Sequence, residues 1–164
     1  MKLNGKKFMV IGGAGLIGSH TIENLLKEDI KEIVVYDNFT RGRVKNLEDA
    51  LKDPRVSIHD VGGDILQTDI LNAAMKDREI DGVFHLAALW LLQCHNFPRS
   101  AFNTNVAGTF NVMEACVANN INRLVWSSSA SVYGDSVTDP MEEDHPFNNK
   151  NFYGASKIAG EAMA

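Results

Sequence analysis

The sequence has few residues of the kinds that build disulfide scaffolds, metal centres or nucleic-acid surfaces. Only two of its 164 residues are cysteine, Cys94 and Cys116, and neither belongs to a Cys-x-x-Cys pair or lies near clustered histidines. We therefore expect no disulfide framework and no metal site, and a reducing compartment fits this composition. The formal net charge is -5 and the basic residues are scattered. A nucleic-acid partner is not expected, because no basic stripe forms.

Long hydrophobic runs are also missing. The longest apolar stretch, VFHLAALWLL, is about half as long as a membrane-spanning helix requires. The amino-terminal segment begins with basic residues before an apolar run, as a signal peptide does, but four glycines interrupt that run and no small-residue cleavage site follows. We therefore predict a cytoplasmic protein without a membrane partner.

What the sequence does contain is an alternation of strand-like and helix-like segments. Apolar runs at 7–11 and 33–36 are too short for helices and rich in β-branched residues, which is typical of buried parallel strands. Because right-handed crossovers place helices on both faces of such a sheet, the pattern predicts an α/β protein with a doubly wound parallel sheet. Further strands are predicted at 56–59, 82–86 and 123–126, helices at 46–51, 70–75 and 98–119, and a surface loop at 135–149. The helix between the first two strands is expected to present Leu16, Ile17, Ile22, Leu25 and Leu26 on one face.

The first chemical motif is glycine-rich and follows the first predicted strand. The run VIGGAGLIGSH satisfies Gly-x-Gly-x-x-Gly through Gly13, Gly15 and Gly18, and equally the spacing of Gly12, Gly15 and Gly18. A helix follows, and Asp37 stands at the end of the second strand. Glycines let the backbone approach a pyrophosphate, the helix N-terminus favours its negative charge, and the carboxylate accepts the ribose hydroxyls. The combination predicts a dinucleotide site.

The choice between the two nicotinamide cofactors depends on Asp37. A carboxylate at this position repels a 2′-phosphate, which favours NAD over NADP. Arg41 and Arg43 lie close in the sequence and could compensate. The residues therefore favour NAD and leave NADP open.

The second chemical motif joins Tyr153 to Lys157. A spacing of four residues brings both side chains to one helix face. A neighbouring ammonium lowers a phenol pKa, so the tyrosine can act as a base. The serines at 127, 128, 129 and 131 follow the fifth predicted strand, at the edge where open α/β sheets bind ligands. One of their hydroxyls could hold the substrate oxygen.

Taken together, GGAGLIGS, YDN, GDI, HLAA, NVAGT, SSSASVYGD and YGASK resemble the extended short-chain dehydrogenase/reductases, specifically the NAD-dependent nucleotide-sugar epimerase/dehydratase group. The resemblance covers nearly the whole chain. It implies a Rossmann-type sheet with strand order 3-2-1-4-5 and NAD as the cofactor. The residues that it places at the cofactor are Gly12, Gly15, Leu16, Ile17, Gly18, Asp37, Asn38, Asp64, Ile65, Leu86, Ala87, Ala88, Asn105, Tyr153 and Lys157. The implied catalytic set is Ser129, Tyr153 and Lys157.

The serine motif selects among the reactions of this group. Dehydratases and decarboxylases of the group typically carry Thr followed by an acidic residue before VYG, whereas this chain has Ser129, Ala130 and Ser131. That resembles the UDP-hexose 4-epimerases, in which oxidation at C4 gives a 4-keto sugar that is then reduced on its other face. A dehydratase or dehydrogenase of the same family, or a NAD-binding module without catalysis, remains an alternative.

The resemblance also predicts what this chain lacks. Relatives continue with further strands and a substrate domain, so residues 1–164 are expected to be an incomplete NAD-binding domain, inactive alone, from a protein that is a homodimer when full length. The segment LWLLQCHNFP departs from the pattern, because Trp90, Leu91 and Leu92 stand where smaller or polar residues would face a sugar. We interpret it as a helix start packed on the core, and His85, His95 and Cys94 as packed residues.

Overall fold

The computed structural model describes residues 2–164 and contains one parallel sheet. Its strands are β1 Lys7–Ile11, β2 Glu32–Tyr36, β3 Val56–Ile58, β4 Gly82–His85 and β5 Arg123–Trp126. All four pairings are parallel, and the order is β3-β2-β1-β4-β5. The predicted fold class and strand order are confirmed.

Helices connect the strands. They are α1 Leu16–Leu25, α2 Thr68–Asp77, α3 Leu91–Asn96, α4 Pro98–Ala101, α5 Thr109–Ala118 and α6 Phe152–Met163. A π-helical segment, Phe102–Gly108, joins α4 to α5, and short 3₁₀ turns cover Val44–Leu47, Ala50–Lys52 and Ala130–Val132. Within residues 2–164, no helix has both the length and the apolar character that crossing a membrane requires.

The described residues group into two compact units. The first holds the residues up to Ala87 together with Asn111–Trp126, and therefore the whole sheet. The second holds Ala88–Phe110 and Ser127–Ala164, and therefore α3, α4, the π-helical segment and α6. That residues 1–164 form one NAD-binding domain stays a prediction.

The core of the first unit lies on both faces of the sheet. Side chains alternate along each strand, so Met9 and Ile11 face one way while Phe8 and Val10 face the other. The first face packs with α2 and α5 through Leu71, Met75, Val112 and Ala115. The second face packs with α1 through Ile22 and Leu25. Burial on both faces explains why β1 and β2 are continuous apolar runs.

Two local predictions were wrong. The segment predicted as a helix at 46–51 forms two 3₁₀ turns, in which the buried residues are Leu47 and Ala50. Their spacing of three suits three residues per turn. In α1, Leu16 and Ile17 are 73% and 64% exposed and do not share the buried face. Gly18 lies on the buried face of α1 instead. A side chain would not fit there, because a Cβ on Gly18 would lie 2.6 Å from the Cα of Gly13.

The edge strand β5 leads to the first testable prediction. Val125 on this strand is 43% exposed. Exposed apolar edge strands invite pairing between molecules. We expect the chain to self-associate, and Val125→Lys to increase the monomer fraction because a charge on an edge opposes pairing, as measured by analytical ultracentrifugation.

Val117→Lys is the matched control, since Val117 is 79% exposed but lies on α5 rather than on a strand. Equal effects of the two substitutions, or none from Val125→Lys, would argue against association through β5.

Candidate functional site

The glycine-rich turn follows the central strand of the first unit. Gly12 has a φ of 78°, which favours glycine, and its N–H donates to the Tyr36 carbonyl at 2.8 Å. A Cβ on Gly12 would lie 2.7 Å from the backbone nitrogen of Ala87. A Cβ on Gly15 would approach only the Gly12 carbonyl oxygen, at 3.2 Å. The space beside Gly15, just before α1 begins, is therefore open to a ligand.

Asp37 lies at the end of β2 and is 8% exposed. Its Oδ2 accepts from the Ala14 N–H at 2.9 Å, and its Oδ1 accepts from the Phe39 N–H at 2.8 Å. These two bonds fix the carboxylate against the glycine-rich turn. Each oxygen keeps a further lone pair for a ribose hydroxyl. Asn38 is exposed and its Oδ1 accepts from the Thr40 N–H at 3.1 Å.

Asp64 and Ile65, which the family resemblance places at the cofactor, differ in the groups that they present to a ligand. Asp64 is half-buried, its Oδ1 accepts from the Leu66 N–H at 2.9 Å, and its carbonyl accepts from the Tyr36 hydroxyl at 3.1 Å. Burial, together with the charge of Asp64, raises the pKa of Tyr36 to about 12. Ile65 is packed in the core, and its carbonyl accepts from the Asn111 side chain at 3.0 Å. The Ile65 side chain therefore has little surface for a base.

Leu86 and Ala87 follow β4 directly. Both are half-buried, and the Leu86 N–H donates to the Ile11 carbonyl at 2.8 Å. The glycine-rich turn, Asp37 and these two residues thus follow β1, β2 and β4, at the carboxyl ends of three adjacent parallel strands. Open α/β sheets bind their ligands at that edge. The structure therefore brings these positions together in the first unit, and their role at a cofactor stays a prediction.

In the second unit, Lys157 is the most deeply buried charged side chain, at 3% exposure. Its Nζ donates to the Ser127 carbonyl at 2.7 Å and lies 5.8 Å from the centroid of the Tyr153 ring. Burial lowers its pKa from 10.5 to about 8, against a smaller opposing effect of Cys94. Tyr153 is half-buried. The predicted pair therefore lies together on α6, with its ammonium removed from water.

The start of α6 is fixed by its cap. Asn151 precedes the helix, and its side-chain oxygen accepts from the Gly154 N–H at 2.8 Å. Gly154 is buried, and a Cβ there would lie 2.6 Å from the Cγ of Asn149. The glycine after Tyr153 is thus required by the close packing of α6 on the preceding loop.

Ser129 is positioned by the turn that follows it. Its backbone is extended, and its Oγ accepts from the Ser131 N–H at 3.2 Å, which caps the turn Ala130–Val132. A hydroxyl that accepts with its oxygen still has a hydrogen to donate. Ser128, next to it, donates to the Glu161 carboxylate on α6. Ser127 and Ser128 are both bonded to α6, so the segment that carries Ser129 is held against the helix of Tyr153.

Asn105 lies in the π-helical segment, which the sequence did not predict. Its Oδ1 accepts from the Leu89 N–H at 2.7 Å, and its Nδ2 donates to the Leu89 carbonyl at 2.9 Å. Nδ2 also lies 3.2 Å from the Ser156 hydroxyl, which donates to the Tyr153 carbonyl at 2.7 Å. Asn105 therefore supports α6, the helix of Tyr153 and Lys157. The signal that the sequence offered was a polar asparagine inside a predicted helix. π-helical segments are frequent at functional sites.

The segment 90–97 corrects two predictions. Trp90 precedes α3 as its N-cap residue, so the predicted helix start is confirmed, but Trp90, Leu91 and Leu92 are exposed rather than packed on the core. Cys94 is buried as predicted, and His95 is exposed. Along this short helix the inward side is occupied by Cys94, whose thiol lies 3.2 Å from the Leu89 carbonyl oxygen. His85 is fully buried in β4.

Among residues 2–164, no three His, Cys, Asp or Glu side chains come together in a way that could hold a metal ion.

Comparison with known proteins shows what the chain is similar to. Residues 8–164 match the NAD dependent epimerase/dehydratase family. A UDP-glucose 4-epimerase of Lactobacillus helveticus is 36% identical over 158 residues, which are 96% of this chain and 46% of that protein. The chain therefore spans about half the length of the curated relatives it matches. The resemblance predicted from the motifs is confirmed.

Solved structures agree with this result. The UDP-Glc/GlcNAc 4-epimerase from Campylobacter jejuni has a TM-score of 0.89 and 30% identity, over 97% of this chain and 48% of that one. A UDP-glucose 4-epimerase from Brucella ovis, in complex with NAD, has a TM-score of 0.86 and 31% identity, over 96% of this chain and 46% of that one. The predicted cofactor is confirmed at the level of the family, which is NAD dependent.

The buried Lys157 leads to a prediction about pH. Its pKa falls from 10.5 to about 8 on folding, so between these values the unfolded chain binds more protons and stability rises with pH. Below about pH 8 the lysine is charged in both states and the contribution is constant. The unfolding free energy of the wild type minus that of Lys157→Met should therefore rise by about 3 kcal/mol between pH 8 and 10.5.

Urea unfolding at a series of pH values measures this difference. The contributions of Tyr36 and Cys116 to the pH dependence cancel, because both proteins contain these residues. Lys27→Met, at an exposed position on the surface, is the control for losing a lysine. A difference that stays flat or falls with pH would contradict the burial of the Lys157 ammonium.

Proposed function

Because the chain belongs to the NAD dependent epimerase/dehydratase family, we propose that it is the cofactor-binding part of a nucleotide-sugar 4-epimerase of the UDP-hexose type. The observation that carries the proposal is the buried Lys157 beside Tyr153 on α6. A protein that only binds NAD does not require a desolvated lysine next to a tyrosine. Perturbed lysines next to a proton-transfer group are typical of catalytic sites.

The residues of the first unit fit the cofactor. The space beside Gly15 accepts a pyrophosphate, and the Asp37 carboxylate keeps lone pairs for ribose hydroxyls. When bound, NAD takes a hydride from the sugar and later returns it, so the cofactor is unchanged over a cycle. Tyr153 and Lys157, which the family resemblance also places at the cofactor, remain a proposal in that role.

The second unit supplies the proton chemistry. The Tyr153 phenolate accepts the proton of the sugar 4-hydroxyl, and the Lys157 ammonium stabilises that phenolate. The Ser129 hydroxyl donates to the same sugar oxygen and holds it in place. Together these groups accept, hold and return the hydroxyl proton, which is the proton transfer that oxidation at C4 and the reverse reduction both require. The hydride of C4 would pass to the bound cofactor and back.

The turn after Ser129 supports an epimerase over a dehydratase. Elimination of water needs a second acid, and this turn carries Ala130 and Ser131, with the Ser131 N–H engaged by the Ser129 oxygen. The turn Ala130–Val132 carries no carboxylate. We expect a UDP-hexose as the substrate, a cytoplasmic location, and a homodimer for the full-length protein.

The NAD preference is tested by titration. We expect residues 1–164 to bind NAD weakly and NADP more weakly, because the Asp37 carboxylate repels a 2′-phosphate. Asp37→Ala should reduce the difference in affinity between NAD and NADP, since it removes both the hydrogen bonds to the ribose hydroxyls and the repulsion of the 2′-phosphate. Calorimetric titration of each protein with each cofactor measures this, and equal or tighter NADP binding by the wild type would contradict the assignment.

Activity is tested with UDP-glucose and UDP-galactose. Residues 1–164 should not interconvert them, whereas the Lactobacillus helveticus relative serves as the active control. The groups that clamp the nucleotide lie in the part of the relatives that this chain does not cover, and a misplacement of about 1 Å costs some 10²-fold in rate. Robust turnover by residues 1–164 as a single species in size-exclusion chromatography would show that they suffice.

The catalytic roles need an active protein. In a chimera of residues 1–164 with the second half of the Lactobacillus helveticus relative, Tyr153→Phe should lower the turnover number by about 10²–10⁴, because the ring stays and the base is lost. Ser129→Ala should cost less, since the proton acceptor remains. Normal turnover by the Tyr153→Phe chimera would contradict the role of Tyr153 as the base, and a loss of turnover that saturating NAD restores would assign Tyr153 to cofactor binding alone.

A further inference from the structure

Gly42 lies in the loop that follows β2, and its backbone does not require glycine. The glycines with positive φ are Gly5, Gly12, Gly62 and Gly134. Gly42 is not among them, so any residue could adopt its backbone conformation. The reason for a glycine must therefore be the space around it.

That space is next to the Asp37 carboxylate. A Cβ on Gly42 would lie 2.8 Å from Oδ2 and 2.9 Å from Oδ1 of Asp37, and 2.8 Å from the Cβ of Ala14. All three distances are well inside ordinary van der Waals contact. Because the two oxygens are almost equally distant, a methyl group here would span the carboxylate rather than touch one oxygen.

The neighbours of Gly42 cannot easily move away. The Asp37 oxygens are bonded to the Ala14 and Phe39 N–H groups. The Ala14 carbonyl accepts from the Arg43 N–H at 3.1 Å and from the Asn46 side chain at 2.8 Å. Ala14 is thus fixed through both its N–H and its carbonyl, and the carboxylate is fixed through it. A side chain at position 42 would have to displace a bonded group.

We propose that Gly42 is a specificity-determining residue of the cofactor site, because its missing side chain keeps the Asp37 carboxylate accessible to ribose hydroxyls. The inference rests on the proposed function in one respect, that Asp37 receives those hydroxyls. A ligand that depends on the carboxylate should lose affinity when position 42 gains a methyl group. A ligand that the carboxylate repels or ignores should lose much less.

The variants are chosen to separate the carboxylate from general damage. Gly42→Ala is the test, and Thr40→Ala is the control, because Thr40 is exposed in the same loop and its backbone has no positive φ. Ala14→Gly combined with Gly42→Ala removes the contact with the Ala14 methyl and leaves only the contact with Asp37. This double variant keeps the test available if Gly42→Ala alone does not fold.

The probes are NAD, NADP, ADP and 2′-deoxy-ADP, with calorimetric dissociation constants and thermal unfolding measured for every variant of residues 1–164. We expect Gly42→Ala and the double variant to bind NAD about 10-fold or more weakly, the loss typical of hydrogen bonds to a charged group. The ratio of the dissociation constants of 2′-deoxy-ADP and ADP should fall toward one. The affinity for NADP should change less than the affinity for NAD. Thr40→Ala and Ala14→Gly should keep the wild-type preference.

A double-mutant cycle with Asp37→Ala gives the decisive readout, because a purely structural role of Gly42 would act equally in both backgrounds. If Gly42 acts through the carboxylate, Gly42→Ala should have little further effect on NAD affinity once Asp37 is alanine. Unchanged NAD affinity in Gly42→Ala, equal losses for all four ligands, or full recovery in the double variant would overturn the inference alone. Failure of the wild type to bind NAD would instead overturn the proposed function.

Discussion

The close approach of the glycine-rich turn to the backbone around it is the constraint on which the first unit depends. α1 can begin directly after β1 only because Gly12 and Gly18 carry no side chains where the neighbouring backbone lies. The same turn presents the Ala14 N–H to Asp37, which joins the ends of β1 and β2. An alanine at either glycine would separate these elements. The missing side chains that leave space for a pyrophosphate therefore also let the turn pack against the carboxyl ends of β1 and β2.

The second unit carries a different energetic cost, the burial of a charged side chain. Burying an ammonium is unfavourable unless it is bonded, and Lys157 has the Ser127 carbonyl as an acceptor at 2.7 Å. The desolvation that lowers its pKa to about 8 is a loss of stability. The polar contacts of Asn105, Leu89 and Ser156 tie the surrounding segments together and hold α6 in spite of this cost. A pKa perturbed by desolvation is typical of functional sites.

Much of the fold and of the candidate site could be predicted from the sequence, because the signals for strands, turns and side-chain pairs on a helix are local. Short β-branched runs gave the strands, and spacing gave the glycine-rich turn and the Tyr153–Lys157 pair. The exposure of Leu16 and Trp90 could not be predicted, since it depends on which neighbours fill the buried face. The π-helical segment follows from the bonds of Asn105 to a loop sixteen residues away, which periodicity does not show. Gly42 was not predicted, because the role proposed for it depends on the absence of a side chain.

The central claim is that the carboxyl edge of β1, β2 and β4 binds NAD. The most direct measurement is a titration of ¹⁵N-labelled residues 1–164 with NAD, followed by the backbone amide shifts in NMR spectra. The account predicts the largest changes at Gly12, Gly15, Asp37 and Ala87, with little change at the opposite end of the strands, for example at Lys7. Changes spread evenly over the sheet, or confined to residues far from the glycine-rich turn, would contradict it.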